Sequence, residues 1–342
     1  MGKTTKALLL VLFVAGAVAA LGKVFIWGES VTNYGSYTPW GLWVGLYVLM
    51  VAAAAGAAWT GIYVAWSQGG EPKRLTTISL IAAGAFLAFG LGFIGTDLGK
   101  PMKGFLIFFS PAFSSKLAWA SWLYMVFFVC LGGYLFTKAK KAFMYLAGLA
   151  AVAFVLAEGL FFGGMVARTA WNSWLTPVSF LASAAAAGSA VVFAVGQLNN
   201  AEVFAEEGYA VKKLLTFSVI AVAAVELIHA FAGQAGMLAS IPFWGFVALG
   251  VIVPLFMLHK DTGGAIPGLL VLFGLACSKY AFIREGFASE PLPGLSSAFQ
   301  TARLSLSYTP SAVEWVVAVG FVAGAIWAAD FLADKLLAAK QA

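Results

Sequence analysis

Charged side chains are scarce in this chain of 342 residues. Lysine, arginine, aspartate and glutamate together make up 10% of it, whereas about 25% is usual in soluble domains. Hydrophobic residues make up 62%, and the mean hydropathy is +0.94. This composition cannot cover a soluble protein with polar groups. It therefore excludes a soluble enzyme, a nucleic-acid-binding protein and a secreted disulfide scaffold, and it indicates a polytopic membrane protein.

Cysteine and histidine are also scarce, which limits the redox centres that the chain can hold. Cys130 and Cys277 lie far apart in apolar runs, so we interpret both as small buried hydrophobes. A transmembrane b-type haem usually needs two histidines at one depth, whereas His229 and His259 fall at different depths of their predicted helices. The sequence shows no cysteine cluster, nucleotide-binding glycine motif or zinc-protease motif. We expect no metal site, haem or iron–sulfur cluster in this chain.

Long apolar runs dominate the sequence, and each is long enough to cross a bilayer as a helix of about 20 residues. The predicted fold is all-α, with about ten transmembrane helices in one integral membrane domain over residues 1–342. The predicted spans are 7–27, 40–66, 76–96, 117–137, 142–163, 174–196, 214–234, 243–259, 265–285 and 311–333. We expect residues 7–27 to be a retained first helix rather than a cleaved signal peptide.

The distribution of basic residues predicts the orientation of these helices. Twelve of the 20 lysines and arginines fall in the termini and in the loops on one side, and eight on the other side. Because basic residues favour the cytoplasm, we expect both termini to be cytoplasmic. The longest connections, 97–116 and 286–310, then lie outside. The first is apolar enough to lie in the membrane interface, and Pro291 and Pro293 predict an irregular cap in the second.

Ionisable residues inside the spans are concentrated towards the outer side. Asp97 closes the third helix, Glu158 lies late in the fifth, and Glu226 and His229 lie in the outer half of the seventh. Charges within a membrane are costly, so they mark function or pair with one another. One alternative is structural pairing of Glu158 or Glu226 with Lys279. A second is that Glu226 and His229, three residues apart on one helix face, hold or pass a proton.

Several short segments together resemble one known family, in their order and in their placement at the outer helix ends. The segments are TPWGLW (38–43), GTDLGKP (95–101), FFSPAFSSKLAWASW (108–122), EGLFFGG (158–164), WNSWLTPVSFLASAAAAGSA (171–190) and PSAVEW (310–315). The set resembles the membrane subunits of polysulfide reductase, the NrfD/PsrC type.

The resemblance implies a quinone-reactive membrane subunit with no prosthetic group of its own. Its core would be two four-helix bundles, 40–163 and 174–285, with 7–27 and 311–333 as additional helices. An iron–sulfur subunit with four clusters would dock on the membrane face beside the quinone site. That partner would lead to a molybdopterin catalytic subunit or to multihaem cytochromes. The expected location is the plasma (inner) membrane.

We predict a quinone site, with menaquinone as the expected quinone, near the outer ends of the second to fifth helices. Asp97 and Glu158 would exchange protons, and Glu226 with His229 would form a second relay. The candidate quinone-binding residues are Asn33, Tyr34, Trp40, Tyr124 and Lys100. The loop 97–116 would receive the iron–sulfur partner.

Two other functions fit parts of the sequence. A secondary transporter or ion-translocating protein would share the ten helices and the 38 glycines. However, its charges should lie near the midplane, and its two halves should carry matched Gly-Pro breaks, which this sequence lacks. A structural anchor without quinone chemistry is the third possibility. A co-purifying iron–sulfur subunit would favour the quinone subunit over the transporter.

Overall fold

Each apolar run forms a helix in the computed structural model, which describes residues 1–342 except 111, 200, 234, 289, 291, 293, 300, 302, 303 and 339–342. The predictions that rest on Pro291 and Pro293 therefore lie outside the described residues. Among those described, ten helices are long and apolar enough to cross a membrane, and no strand occurs. They are α1 (Lys3–Val31), α2 (Leu42–Ser67), α3 (Arg74–Asp97), α4 (Lys116–Phe136), α5 (Lys140–Gly163), α6 (Leu175–Leu198), α7 (Tyr209–Ala232), α8 (Ile241–Lys260), α9 (Ile266–Glu285) and α10 (Ala312–Leu337). The predicted all-α polytopic membrane fold is confirmed.

The helices pack in two rings of four. In the first ring α2, α3, α4 and α5 each contact the next, and α5 returns to α2; α6, α7, α8 and α9 do the same in the second. The predicted bundles comprise the same two sets of helices. Because α2 packs extensively on both α3 and α6, however, the division into two units stays a prediction.

Helix α2 is the centre of the molecule. Its residues from Leu42 to Ala58 are all buried, since it contacts α3, α5, α6 and α9. A helix that is apolar on every side has no face suited to water, so burial among other helices satisfies the whole of it. Side chains on α2 can therefore meet partners from both rings.

Helices α1 and α10 form a pair outside the two rings. They pack on each other, and α10 also packs on α3. The contact is close because the backbones meet at Gly16 and Gly320, where an added Cβ would lie 2.6 Å or less from the opposite Cα. At the end that carries both termini, Lys6 forms an ion pair with the buried Asp330 at 2.8 Å. We call the opposite end of the molecule the Asp97 end.

The connection between α3 and α4 lies at the Asp97 end. It contains two single-turn helices, Pro101–Gly104 and Leu106–Phe109. Large apolar side chains stand exposed along it, and these are Met102, Phe105, Leu106, Phe109 and Phe113. The segment thus presents an apolar surface beside the end of the helices.

Candidate functional site

Among the described residues seven charged or histidine side chains are buried, and all of them except Asp330 lie towards the Asp97 end, in three separate clusters. We name them by their acids: the Asp97 cluster, the Glu158 cluster and the Glu226 cluster. The Asp97 cluster contains Lys23, Glu29, Asn33, Tyr34, Asp97, Tyr308 and Glu314. The Glu158 cluster contains Tyr47, Tyr124 and Glu158. The Glu226 cluster contains Thr176, Ser179, Ser183, Glu226, His229 and Lys279.

The Asp97 cluster brings together two predicted site residues, Asp97 and Tyr34. Asp97 is the last residue of α3, and Tyr34 lies in the loop between α1 and α2. The Tyr34 hydroxyl and Asp97 Oδ1 are both buried, and neither has a hydrogen-bond partner among the described residues. The two side chains interact electrostatically, although no hydrogen bond of ordinary length and angle joins them. Buried polar atoms are nearly always satisfied, so the polar atoms of a bound molecule would suit this pair.

Glu314, at the start of α10, organises the neighbouring part of the cluster. Its carboxylate accepts hydrogen bonds from the Tyr308 hydroxyl, from the backbone N–H of Asn33 at 3.1 Å and from that of Ser311 at 2.9 Å. The Asn33 side-chain amide donates to the Thr309 carbonyl at 2.8 Å. These bonds fasten the loop before α2 to the segment before α10, and they hold Tyr34 and Tyr308 side by side, with ring centroids 5.6 Å apart.

A buried lysine lies on the other side of Asp97. Lys23 Nζ forms an ion pair with Glu29 Oε1 at 2.8 Å and donates to the backbone carbonyl of Asp97 at 3.3 Å. The same ammonium lies 5.9 Å from the ring centroid of Trp43. Lys23 thus connects the end of α1 to the end of α3 and places a positive charge beside the Asp97 carboxylate.

The two tyrosines of this cluster keep their protons. Burial raises the pKa of Tyr34 well above its usual range, and the nearby Asp97 carboxylate raises it further. Burial also raises the pKa of Tyr308, to which the Glu314 carboxylate adds. Both hydroxyls are therefore hydrogen-bond donors at any physiological pH. The Tyr308 hydroxyl donates to Glu314, whereas the Tyr34 hydroxyl remains available.

A polar cavity opens next to these tyrosines. Its volume is about 330 Å³, and it is lined by Ser30, Thr32, Asn33, Tyr34, Ser307, Tyr308 and Thr309. Hydroxyl and amide groups dominate this lining. The cavity therefore gives the Asp97 cluster a polar access route from the Asp97 end of the molecule.

The Glu158 cluster brings together two further predicted residues, Glu158 and Tyr124, and adds Tyr47. Both tyrosine hydroxyls donate to Glu158 Oε1, and the hydroxyl oxygens lie 2.8 Å apart. All three side chains are buried, and they come from α2, α4 and α5. The arrangement satisfies Oε1 of the carboxyl group within the protein. No hydrogen bond among the described residues connects it to Asp97, so the predicted single site is two separate groups.

The Glu226 cluster contains an ion pair between Glu226 and Lys279, which was one of the alternatives that the sequence left open. Lys279 Nζ lies 2.9 Å from Glu226 Oε1, and each side chain is 1% exposed. Ser179 also donates to Glu226 Oε1 at 2.8 Å. His229 lies one turn from Glu226, and its Nε2 lies 3.3 Å from the Thr176 hydroxyl oxygen. A paired and hydrogen-bonded carboxylate is the arrangement expected for a buried charge.

The structure places the last two predicted residues outside these clusters. Trp40 belongs to an aromatic group between the two rings, where it stacks on Trp171 at 5.9 Å and also contacts Phe162 and Phe287. Lys100 lies exposed at the start of the short helix Pro101–Gly104. Lys100 therefore lies on the surface within the α3–α4 connection, three residues after Asp97.

Sequence reasoning missed several members of the clusters. Tyr47 lies one helical turn after Trp43 on α2, and this spacing is the only local signal for it. Tyr308 lies in a loop, where no periodicity applies. Lys23 and Glu314 were visible as charges at helix ends, but their partners come from segments distant in sequence.

The model of one protein family, described as polysulphide reductase NrfD, matches residues 30–289. The chain belongs to this family. The matched segment includes α2 to α9 and two of the predicted quinone-site acids, Asp97 and Glu158. The resemblance predicted from the ordered segments is therefore confirmed.

Two curated relatives of this NrfD-family chain are parts of oxidoreductases. A selenate reductase subunit of Mesobacillus selenatarsenatis is 21% identical, and the alignment covers 86% of this chain and 85% of that protein. The Hdr-like menaquinol oxidoreductase integral membrane subunit of Archaeoglobus fulgidus is 24% identical, with 93% and 89% covered. The protein is thus an NrfD-family membrane protein whose relatives are subunits of oxidoreductase complexes.

Proposed function

We propose that this chain is the quinone-reactive membrane subunit of a respiratory oxidoreductase, and that the Asp97 cluster binds the quinone head group. The observation that carries the proposal is the buried pair of Tyr34 and Asp97, whose facing polar atoms have no partner among the described residues. A neutral molecule with oxygen atoms that accept and donate hydrogen bonds would satisfy both.

The residues present fit a quinone head group. The Tyr34 hydroxyl, which retains its proton, would donate to a head-group oxygen, and the Asp97 carboxylate would accept a hydrogen bond or hold a proton. A bound quinone supplies two-electron, two-proton redox chemistry, which the side chains of this chain cannot supply. Lys23 would balance the charge of Asp97. The polar cavity lined by Asn33 and Tyr34 would connect the site to water.

The other two clusters are proposed as further proton-holding groups. Glu158 accepts hydrogen bonds from two tyrosine hydroxyls, which would stabilise its carboxylate after it releases a proton. Glu226 and His229 keep the proposed role of a second relay, although the ion pair with Lys279 gives Glu226 a structural role as well. The menaquinol named for the Archaeoglobus relative supports menaquinone as the quinone.

The α3–α4 connection is the proposed docking site for the partner that carries electrons. It exposes five large apolar side chains together with Lys100 and Lys103, at the end of the molecule where the Asp97 cluster lies. We propose an iron–sulfur subunit there, linked to a molybdopterin subunit or to multihaem cytochromes. This placement keeps the path for electrons short. The membrane would be the plasma membrane, with both termini cytoplasmic.

The binding test uses the full chain in lipid nanodiscs, with menaquinone as the titrant. Tyr34→Phe removes only the donor, and Asp97→Asn removes the charge, so each should weaken binding by about tenfold, or about 1.4 kcal/mol. The control is Glu71→Gln, an exposed acid paired with Lys141 at the opposite end of the helices. Unchanged affinity in both Tyr34→Phe and Asp97→Asn would contradict the proposed site.

The functional test uses the complex as it purifies from the native membrane. We expect Asp97→Ala and Glu158→Ala to reduce quinol oxidation, and unchanged rates in both would overturn the assignment of these acids. Mass spectrometry of the co-purifying subunits tests the partner. An iron–sulfur subunit is the expected result, whereas purification of the chain alone with a transported solute would favour a transporter.

A further inference from the structure

An apolar groove runs along one side of the molecule, between α9 and α10. Its volume is about 830 Å³, and its lining is almost entirely apolar. The groove exists because α9 packs mainly on α2, α6 and α8, whereas α10 packs mainly on α1 and α3. Leu46 and Met50 of α2 form its floor, Leu269 and Phe273 of α9 line one wall, and Ala318 of α10 lines the other.

The groove has the length of one membrane leaflet. Its lining runs from Leu269 to Tyr280 along α9 and from Trp315 to Ile326 along α10. At 1.5 Å per residue, each stretch spans about 17 Å. The hydrocarbon core of a bilayer is about 30 Å thick. An extended hydrocarbon chain would therefore lie along the groove from the Asp97 end to well beyond the membrane midplane.

One end of the groove reaches the Asp97 cluster. Leu42 lines the groove, and its backbone N–H donates to the Tyr308 hydroxyl at 3.0 Å. Tyr280 lines it as well, and its ring centroid lies 6.5 Å from that of Tyr308, which in turn contacts Tyr34. Tyr308 thus links the end of the apolar groove to Tyr34 and the polar cavity.

We propose that this groove binds the isoprenoid chain of the quinone whose head group occupies the Asp97 cluster. The inference rests on the proposed function and adds that the protein selects quinones with a long tail. The position of the groove favours this occupant, because its end contacts Tyr308 beside Tyr34 and Asp97, the pair that the proposed function assigns to the quinone head.

One wall of the groove is α10, a helix that lies outside the segment matched by the family model. The family model ends at residue 289, whereas α10 begins at Ala312. Without α10, the face of α2 that carries Leu46 and Met50 would lie open to lipid on that side. The additional helix thus converts an open helix face into a bounded channel for a chain.

The test compares two quinones on the full chain in nanodiscs: menaquinone with four isoprene units, and menadione, which has the same head group and no tail. We expect the long-chain quinone to bind at least about tenfold tighter. Ala318→Phe and Val322→Phe fill the groove. Each should therefore lower the affinity for the long-chain quinone to that for menadione, and leave the menadione affinity unchanged. Val316→Phe on the same helix, exposed and outside the groove lining, is the matched control and should change neither.

Other results separate the two proposals. If the wild-type chain binds both quinones but Ala318→Phe and Val322→Phe leave the long-chain affinity intact, the groove inference is wrong and the head-group site stands. If the wild-type chain binds neither quinone, the proposed function itself fails. Thermal unfolding of each variant shows whether it is folded before binding is measured.

Photochemical labelling gives an independent measurement that needs no variant. A menaquinone with a diazirine at the end of its tail should label peptides from α9 or α10. A phospholipid with a diazirine on its acyl chain should label them only in the absence of excess menaquinone. Lipid labelling that persists at saturating menaquinone would assign the groove to a lipid and overturn the inference.

Discussion

At the scale of single residues, the energetic question is how the chain tolerates charges among apolar helices. Lys279 and Glu226 lie 2.9 Å apart, and both are buried. A buried charge without its partner carries a large desolvation penalty, which the pair itself largely offsets. The ion pair is therefore needed once either charge is present.

Removal of one member of this pair should strongly destabilise the protein. We expect Lys279→Met to lower the free energy of unfolding by about 3–5 kcal/mol, because Glu226 would be left buried without a counter-charge. The double variant Lys279→Met, Glu226→Gln should recover much of that loss. Reversible unfolding in mixed micelles measures each value.

The matched control is Lys141→Met, which breaks the exposed ion pair with Glu71. Exposed pairs contribute little to stability because water screens them, so this variant should unfold almost as the wild type does. A Lys279→Met variant no less stable than Lys141→Met would show that the buried pair is dispensable.

The buried tyrosines give a prediction about pH. Because the pKa values of Tyr34 and Tyr308 are raised, the folded protein keeps protons that an unfolded chain loses near pH 10. These residues contribute stability below that pH, and the contribution is lost as the pH rises further. In ultraviolet titrations of the folded protein, Tyr34→Phe and Tyr308→Phe should match the wild type up to about pH 11. A smaller tyrosinate signal near pH 10 in either variant would contradict this.

Sequence reasoning identified the acids of the clusters and missed most of their partners. Asp97, Glu158 and Glu226 were found because a charge in an apolar run is costly and therefore conspicuous. Tyr47 was missed because a tyrosine in a membrane helix is unremarkable by composition. The pairing of Asp97 with Tyr34 depends on how the loop before α2 folds over the end of α3, and the sequence has no local rule for that.

At the scale of elements, small residues determine how closely the helices approach. Gly56 of α2 faces Gly188 of α6, and a Cβ on Gly56 would lie 1.7 Å from the Ala184 carbonyl oxygen. The obstructing atoms belong to the backbone, so no side-chain rotation can relieve the overlap. Close approach of helices through small residues is the usual mode of packing in membranes.

Enlargement of these glycines should separate α2 from α6. We expect Gly56→Ala and Gly188→Ala each to cost about 3 kcal/mol or more, the upper range for overpacking. Gly132→Ala on α4 is the control, because nothing lies within 4 Å of its added Cβ, and alanine favours a helix over glycine. Unfolding in mixed micelles measures all three, and equal stability of Gly56→Ala and Gly132→Ala would rule out the close contact.

The existence of the helices followed from the sequence, but their neighbours did not. All ten predicted spans correspond to observed helices, since about 20 apolar residues in succession have few alternatives to a membrane helix. The small-residue run from Ala182 to Gly188 favours a close helix contact. Only the structure identifies α2 as the partner. Because almost every face of every helix is apolar, the hydrophobic pattern does not predict which two helices pack together.

At the scale of the whole molecule, the clusters and the groove make the two ends of the molecule, along the membrane normal, different from each other. The three acid clusters lie near the Asp97 end, whereas the opposite end carries the termini and the ion pair of Lys6 with Asp330. The basic residues are biased towards that opposite end, which predicts that it faces the cytoplasm. Quinone chemistry and electron transfer to a partner would then take place on the outer side.

This orientation is testable with single cysteines in a chain whose Cys130 and Cys277 are replaced by alanine. Lys103 is exposed on the α3–α4 connection, and Lys213 is exposed near the start of α7, at the end that carries the termini. A membrane-impermeant maleimide should label the Lys103→Cys variant in intact cells or spheroplasts, and should label Lys213→Cys only after permeabilisation. The reverse pattern would place the Asp97 cluster on the cytoplasmic side, and an electron-carrying partner would then have to dock from the cytoplasm.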